Sequence, residues 1–315
     1  LNLGLDIGLF SRVNVSLDWY TRTTKDLLMS KQLNSISGFS SLLTNVGQMR
    51  NTGVELEVRS NNIKTKDFSW TTAFNLSHNK NKILKLADLP WFVDGRYVRK
   101  EGYPFNTIYL REYAGVDPET GSALYYDNQQ DENGNYTKNK VTDPGQASPI
   151  PLKDITPTIS GGFMNTFNYK FIDLSFNLSY SFGGYSYDNA SYILQDDGYS
   201  VISNKSTEQR RRWQKPGDIT DVPRFVYGNK KGGNYNSSRA IHSTDHIRLK
   251  SLILGLNAPK AWLQKLGIGN ARIYFSGTNL LTWAAYDQYD PEMSGVVGFY
   301  TPPLKTYAFG LELKF

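Results

Sequence analysis

The 315-residue sequence contains no cysteine. Disulfide bridges, thiolate metal sites and a cysteine nucleophile are therefore excluded, although this absence is compatible with any compartment. No apolar run approaches 18 residues, and the mean hydropathy is −0.48, so no segment is predicted to cross a membrane as a helix. A strand of a membrane barrel needs only about 9–11 residues with every second one apolar, so low hydropathy does not exclude a membrane-spanning sheet.

The charge balance also bears on one class of partner, nucleic acid. The chain has 35 basic and 29 acidic residues, a modest excess spread along its length, so nucleic-acid binding is not indicated. The residues after Leu1 show no charged segment followed by an apolar one, as a signal peptide would. We therefore expect either that a leader has been removed or that the chain is part of a longer protein.

What the sequence does contain is a regular alternation of side chains, seen best in the last ten residues, TYAFGLELKF. Successive side chains of a strand point to opposite faces, so one face of this strand is apolar and the other is small or charged. That pattern is typical of the wall of a transmembrane β-barrel with a wet lumen. An aromatic carboxyl terminus resembles the assembly signal of bacterial outer-membrane barrels, carried here by Tyr307, Phe309, Leu311, Leu313 and Phe315.

The same alternation elsewhere predicts about nine strands, so the predicted fold class is all-β, an antiparallel transmembrane β-barrel with long extracellular loops. Short and long connections alternate, which assigns short turns to the periplasmic side and long segments to the outside. A change of apolar parity after Leu249 predicts a β-bulge near Ser251. The predicted extracellular loops are residues 29–45, 79–156, 183–245 and 280–303.

The odd strand number bears on the extent of the barrel. Single-chain bacterial barrels have even strand numbers, and an open sheet edge in hydrocarbon would leave backbone groups unpaired. We therefore expect residues 1–315 to be the C-terminal part of a larger barrel.

Several segments resemble one family, in the family's order. Near the carboxyl end these are IRLKSLILGLNAP, ARIYFSGTNLLTWAAYDQYDPE and YAFGLELKF, and upstream they are NTGVELEV, GYPFNTIYLREYAGVDPETG and RRWQKPGDITDVPRF. Together they extend over essentially the whole chain. They resemble the C-terminal barrel portion of SusC/RagA-type TonB-dependent outer-membrane transporters.

This resemblance implies a barrel of about 22 strands, with the plug domain and the N-terminal strands absent from this sequence. It implies import of oligosaccharides or oligopeptides across the bacterial outer membrane, with no enzymatic activity and no cofactor. The implied partners are a SusD-like lipoprotein lid, the TonB complex through the absent N-terminal part, the rest of the barrel and plug, outer-membrane lipid, and a glycan or peptide substrate.

Two alternatives from other classes are a soluble or surface glycan-binding β-sandwich, which would bury the apolar face in a core, and a structural barrel fragment that transports nothing. Release of the chain from membranes without detergent would favour the sandwich. A stable separate polypeptide without any plug partner would favour the structural fragment.

Aromatic residues in the predicted loops are candidates for stacking on sugars or for gripping a peptide or a lid protein. Packing of the loops against one another is the competing explanation for each of them. The principal candidates are Trp91, Tyr103, Trp213, Trp283, Tyr286 and Tyr289, with Tyr97 and Tyr235 in the same segments. The predicted lumen lining is Asn14, Ser16, Asp18, Glu55, Glu57, Arg59 and Asp173.

Charged clusters in the loops have ordinary explanations. His242, Asp245 and His246 could supply three zinc ligands, two imidazoles and a carboxylate, but they lead directly into a strand. The acidic groups of DPETG and DQYDPE are of the kind found in calcium loops and glycosidase pairs, although turn formation accounts for them more simply. The basic run at Arg210–Arg212 is expected to form salt bridges or an interface patch.

Overall fold

The computed structural model of the chain describes residues 1–33, 35–39, 41–86, 90–229 and 236–315. Strands dominate these residues, and helical segments are short. In chain order the strands are β1 (Asn2–Leu9), β2 (Val13–Gln32), β3 (Ser41–Lys64), β4 (Phe68–Leu86), β5 (Trp91–Asp94), β6 (Tyr97–Lys100), β7 (Thr107–Leu110), β8 (Tyr113–Val116), β9 (Ala123–Tyr126), β10 (Lys140–Val141), β11 (Ile150–Asp154), β12 (Ile159–Tyr169), β13 (Ile172–Phe182), β14 (Tyr185–Asp188), β15 (Ile241–Ser243), β16 (His246–Asn257), β17 (Asn270–Ala284), β18 (Gly295–Val297) and β19 (Thr306–Lys314).

Nine of these strands form one antiparallel sheet, the wall, in the order β1-β2-β3-β4-β12-β13-β16-β17-β19. The prediction of about nine antiparallel strands is confirmed. One face of the wall is apolar and open, with Leu3 60% and Phe309 81% exposed. In the part of the chain that the structure describes, no second sheet packs on this face, as a β-sandwich would require.

The polar face carries the predicted lumen residues. Asn14, Ser16 and Asp18 of β2 pair with Arg59, Glu57 and Glu55 of β3, so all six side chains share one face. Further along the sheet, the Arg272 guanidinium crosses Gly255 to donate to the Asp173 carboxylate, with Nη2 2.6 Å from Oδ2. The alternation in the sequence therefore sorted polar from apolar side chains correctly.

The predicted bulge is confirmed, because the register between β16 and β17 shifts between Leu249 and Ser251. The predicted loop at residues 29–45 is wrong in its limits: β2 continues to Gln32 and β3 begins at Ser41. The backbone ladder runs on here between strands that carry polar residues on both faces. Outside the hydrocarbon layer of a membrane, neither face of a strand needs to be apolar. The alternation of apolar and polar residues therefore becomes weak here, although the strands continue.

The other three predicted loops contain regular structure. The segment 79–156 begins with the end of β4 and holds strands β5 to β11, the segment 183–245 holds β14 and β15, and the segment 280–303 begins inside β17 and holds β18. These strands form three small sheets, β11-β7-β6-β5, β10-β9-β8 and β15-β14-β18. Their strands have only two to five residues, too few to show a period in the sequence.

The helical segments are connectors. The helix α1 (Asn189–Leu194) follows β14, and α2 (Lys260–Leu266) joins β16 to β17. Single 3-10 turns occur at Ser35–Ser37, Pro144–Gln146, Thr207–Arg211 and Ser238–Ala240. Within the described ranges, every helix is too short or too polar to span a membrane.

A tyrosine lies across a glycine on the next strand at three places in the wall. Tyr20 pairs with Gly53, Tyr180 with Gly161 and Tyr274 with Gly310, and in each pair a Cβ on the glycine would overlap the tyrosine side chain. The Tyr20 hydroxyl reaches Asn79 Oδ1 at 3.1 Å, and that of Tyr180 reaches the Asn75 carbonyl at 2.7 Å. Each of these two tyrosines thus links three strands, and glycine permits the crossing.

We expect Gly161→Ala to destabilise the wall by about 1–3 kcal/mol, because its new methyl group would overlap both Tyr180 and the Asn75 backbone. Gly162→Ala is the matched control, since its methyl group would make only ordinary contacts of 3.4 Å or more. Urea unfolding of the full-length protein in detergent micelles measures the difference. Equal midpoints for the two variants would contradict this explanation.

Candidate functional site

The candidate site is the loop face, which we define as the side of the wall from which segments 90–158, 183–229, 236–245 and 285–305 extend. The three small sheets lie here, and two of them, β11-β7-β6-β5 and β15-β14-β18, pack on each other through buried side chains. Ile108 and Tyr187 are each 1% exposed, and Leu110 and Ala240 complete their cluster. The segments therefore form a packed body rather than separate loops, which fixes the aromatic and charged side chains that they carry.

Trp213 holds two of these segments together. Its indole Nε1 donates to the Pro118 carbonyl at 2.8 Å, and its ring covers Gly121, where φ is +68° and no Cβ would fit. Asp117 closes the DPETG turn by accepting from the Glu119 amide at 2.9 Å and the Thr120 hydroxyl at 2.8 Å. These hydrogen bonds lower the pKa of Asp117. Packing and turn formation thus account for the contacts of both side chains.

Tyr286 and Tyr289 attach segment 285–297 to β14. The Tyr286 hydroxyl donates to Asp188 Oδ2 at 3.0 Å, and Tyr289 hydrogen-bonds Ser186. The His242 ring stacks on Tyr286 at 3.7 Å between centroids with an interplanar angle of 3°. Burial lowers the pKa of His242 and raises that of Tyr286, so both rings are neutral near pH 7.

The three residues considered as zinc ligands, His242, Asp245 and His246, have separate contacts. Asp245 Oδ1 accepts from the Gly183 amide at 2.6 Å, and His246 Nδ1 lies 2.8 Å from the Thr244 carbonyl. Since His242 faces Tyr286, the three side chains do not converge. Across the described ranges, no group of three or more His, Asp or Glu is placed to hold a metal ion.

A buried ionic network ties the DQYDPE segment to the polar face of β16. Arg248, whose side chain is 3% exposed, donates to Asp290 at 2.7 Å and to Glu292 at 2.9 Å. Lys250, which is 36% exposed, binds the same Glu292 at 2.6 Å. Asp290 and Glu292 are thus neutralised by cations from the wall. The sequence alone did not reveal the pairing of Arg248 with Asp290, because Arg248 lies 42 residues before Asp290.

A second buried ion pair, Asp197 with Arg239, was also missed. Gln209 Nε2 donates to Asp197 Oδ1 at 2.9 Å, and the Tyr113 ring lies 5.7 Å from the guanidinium. Burial raises the pKa of Asp197 despite the nearby arginine. In the basic run, Arg211 binds Glu208 at 2.5 Å and Asp221 at 3.5 Å, the salt-bridged arrangement that was expected.

Trp283 does not belong to a loop. It lies in β17 opposite Ile247, and both side chains are more than a third exposed. The ring therefore stands on the apolar face of the wall, as part of β17, which continues to Ala284. Tyr235 lies outside the described residues.

Trp91 and Tyr103 are instead both neighbours of Lys100. Trp91 pairs with Lys100 between β5 and β6, and the Lys100 ammonium lies 5.1 Å from the Tyr103 ring centroid. Beside them is a cavity of about 460 Å³, which we call the Trp91 cavity; its lining includes Trp91, Lys100, Tyr109, Gln129, Tyr136 and Pro149. A wider concavity of about 830 Å³ lies on the polar face of the wall and is lined by Asp18, Tyr20, Glu55 and Asn79.

Comparisons with known proteins agree with this architecture, although no family model matches the chain. The whole chain is 34% identical to TonB-dependent receptor P3 of Formosa agariphila, of which it spans 34%. It is 28% identical to the TonB-dependent receptor SusC of Bacteroides thetaiotaomicron, again over the whole chain and 31% of that protein. The chain thus spans about a third of the length of the curated relatives that it matches.

Among solved structures, the whole chain matches 35% of a chain in the RagAB peptide transporter, with a TM-score of 0.88 and 32% identity. It also matches 34% of a chain in the open-open state of the RagAB peptide importer, with a TM-score of 0.86 and 30% identity. Wall and loop face are both included in these matches.

We expect Arg248→Gln to release segment 285–297, because it leaves the buried Asp290 carboxylate without its cation, at a cost of about 3–5 kcal/mol. Lys250→Gln is the matched control, because it removes a half-exposed partner of the same Glu292 and costs about 0–1 kcal/mol. Hydrogen exchange of the segment in the full-length protein distinguishes them. Equal protection in both variants would show that the buried pair does not anchor it.

Proposed function

The chain belongs to the SusC/RagA family of TonB-dependent outer-membrane transporters, and from that premise we propose that residues 1–315 form the C-terminal part of an importer's barrel. Proteins of this family are outer-membrane β-barrels and not enzymes. The proposed activity is TonB-dependent import of oligosaccharide or oligopeptide nutrients, with a SusD-like surface lipoprotein as the lid. The plug and the TonB-contacting segment would belong to the N-terminal part of the whole protein.

One observation carries this proposal. The entire chain, wall and loop face together, superposes on a third of a solved peptide transporter. A wall alone would support only a barrel of some kind. The agreement of long, packed segments above the wall supports a shared mode of action, because segments of this kind are where barrels of one architecture differ in function.

In this proposal the parts of the chain have different roles. The polar face of the wall, with Asp18, Glu55, Glu57 and Arg59, lines the route of the substrate around the plug. Trp91 and Tyr103 contact the substrate, and the segments that Trp213, Tyr286 and Tyr289 hold in place meet the lid. Energy and gating come from TonB and the plug. The exposed apolar residues of β19, from Tyr307 to Phe315, serve in barrel assembly.

A growth experiment tests the proposed function. The gene for the full-length receptor is deleted from its host, and growth is measured on single polysaccharides and on peptide mixtures as sole nutrients. We expect one nutrient class to stop supporting growth, and the wild-type gene to restore it. Restoration should fail when the host lacks TonB, since uptake draws its energy through that protein.

The matched control is the same host carrying the Gly162→Ala receptor, which should grow like wild type. Unchanged growth of the deletion strain on every nutrient, or uptake that persists without TonB, would contradict the proposal and would favour a structural role for the barrel.

A further inference from the structure

The Trp91 cavity has the features of a ligand site of defined chemistry. We propose that it binds one ring of an acidic oligosaccharide, an inference that names the substrate class and rests on the proposed import function. Its volume of about 460 Å³ lies within the roughly 300–1,000 Å³ of small-molecule pockets. The argument rests on three properties of the lining: an aromatic corner, neutral polar groups and a single cation.

The aromatic corner suits the apolar face of a sugar ring. Trp91 and Tyr109 have ring centroids 5.9 Å apart and an interplanar angle of 48°, so they form an angled corner rather than a closed stack. Trp91 remains 44% exposed despite this contact, which leaves part of its surface for a ligand. A pyranose presents a flat patch of C–H groups to such a ring while its hydroxyl groups point sideways.

Neutral polar groups stand where those hydroxyl groups would point. Gln129 Nε2 is 3.4 Å from both the Gln146 carbonyl and the Ser148 hydroxyl, long distances that leave its amide able to turn to a ligand. Amide and hydroxyl side chains both donate and accept, as sugar hydroxyl groups do. Most of the exposed lining is polar, which suits a ligand that is rich in hydroxyl groups.

The charge of the lining indicates an anionic sugar. Glu112, behind the cavity, is neutralised by Lys138, which also donates to Asn128 Oδ1 at 3.0 Å. Lys100 has no carboxylate partner among the described residues, so it is the unpaired charge of the lining. A uronic acid or a sulfated sugar carries the flat apolar patch and the anion on one ring. A peptide would have to bring two side chains to the same place.

Binding by the purified full-length receptor in detergent tests this inference. The probes are an array of uronic-acid-containing, sulfated and neutral oligosaccharides together with mixed peptides, and affinities follow by calorimetry. We expect acidic saccharides to bind best, Trp91→Ala to weaken them at least tenfold, and Lys100→Gln to remove the preference for acidic over neutral sugars. Trp262→Ala, at an exposed tryptophan on α2, and Lys215→Gln are the matched controls.

Binding of peptides or neutral sugars alone, no binding, or full acidic-sugar binding by both cavity variants would each overturn the inference. The measurement needs neither TonB nor a lid protein. Acidic-sugar binding at the cavity without TonB-dependent uptake would therefore contradict only the proposed function, and uptake without such binding would contradict only the cavity.

Discussion

The structure depends on one constraint: hydrocarbon offers no hydrogen-bond partner, so every backbone N–H and C=O of the wall must pair with a neighbouring strand. This requirement forces the antiparallel ladder from β1 to β19, and the ladder in turn places successive side chains on opposite faces. The face that meets lipid is apolar, with residues such as Leu3 and Phe309. The face that meets water is polar, with residues such as Asp18 and Glu55. The tyrosine–glycine crossings add side-chain ties between strands that the backbone already holds in register.

Above the bilayer the constraint changes, and so does the architecture. Backbone groups can pair with water there, so no face of the chain must be wholly apolar. The ends of β2 and β3 mix polar and apolar residues, and the longer segments fold into three small sheets. Tertiary contacts then decide stability. Tyr187 and Ile108 belong to a buried cluster, and Arg248 binds two carboxylates of segment 285–297. The ion pair between Asp197 and Arg239 joins two further segments. The result is a packed body, and its segments give the Trp91 cavity its shape.

Prediction from sequence succeeded where the period of two is enforced on both faces. The nine wall strands, the lumen-facing pairs of β2 and β3, and the bulge at Ser251 all follow from parity. It failed at Met29–Asn45, where the strands mix polar and apolar residues on each face, and at Trp283, which lies in β17 and not in a loop. For the site, sequence named Trp91 and Tyr103 as candidates but had no means of finding Tyr109 and Gln129 beside Trp91, because short strands and turns of no visible period bring them together.

The order of residues alone therefore determined the class of fold and the face on which each wall residue lies. The two faces of a wall strand meet lipid and water, so residues suited to each solvent occur at every second position. Only the tertiary structure decided which loop residues act together. Arg248 and Asp290 are 42 positions apart, and Lys100 differs from Lys138 only in lacking a carboxylate neighbour. Contacts of that kind arise from packing between segments, and no local pattern in the chain records them.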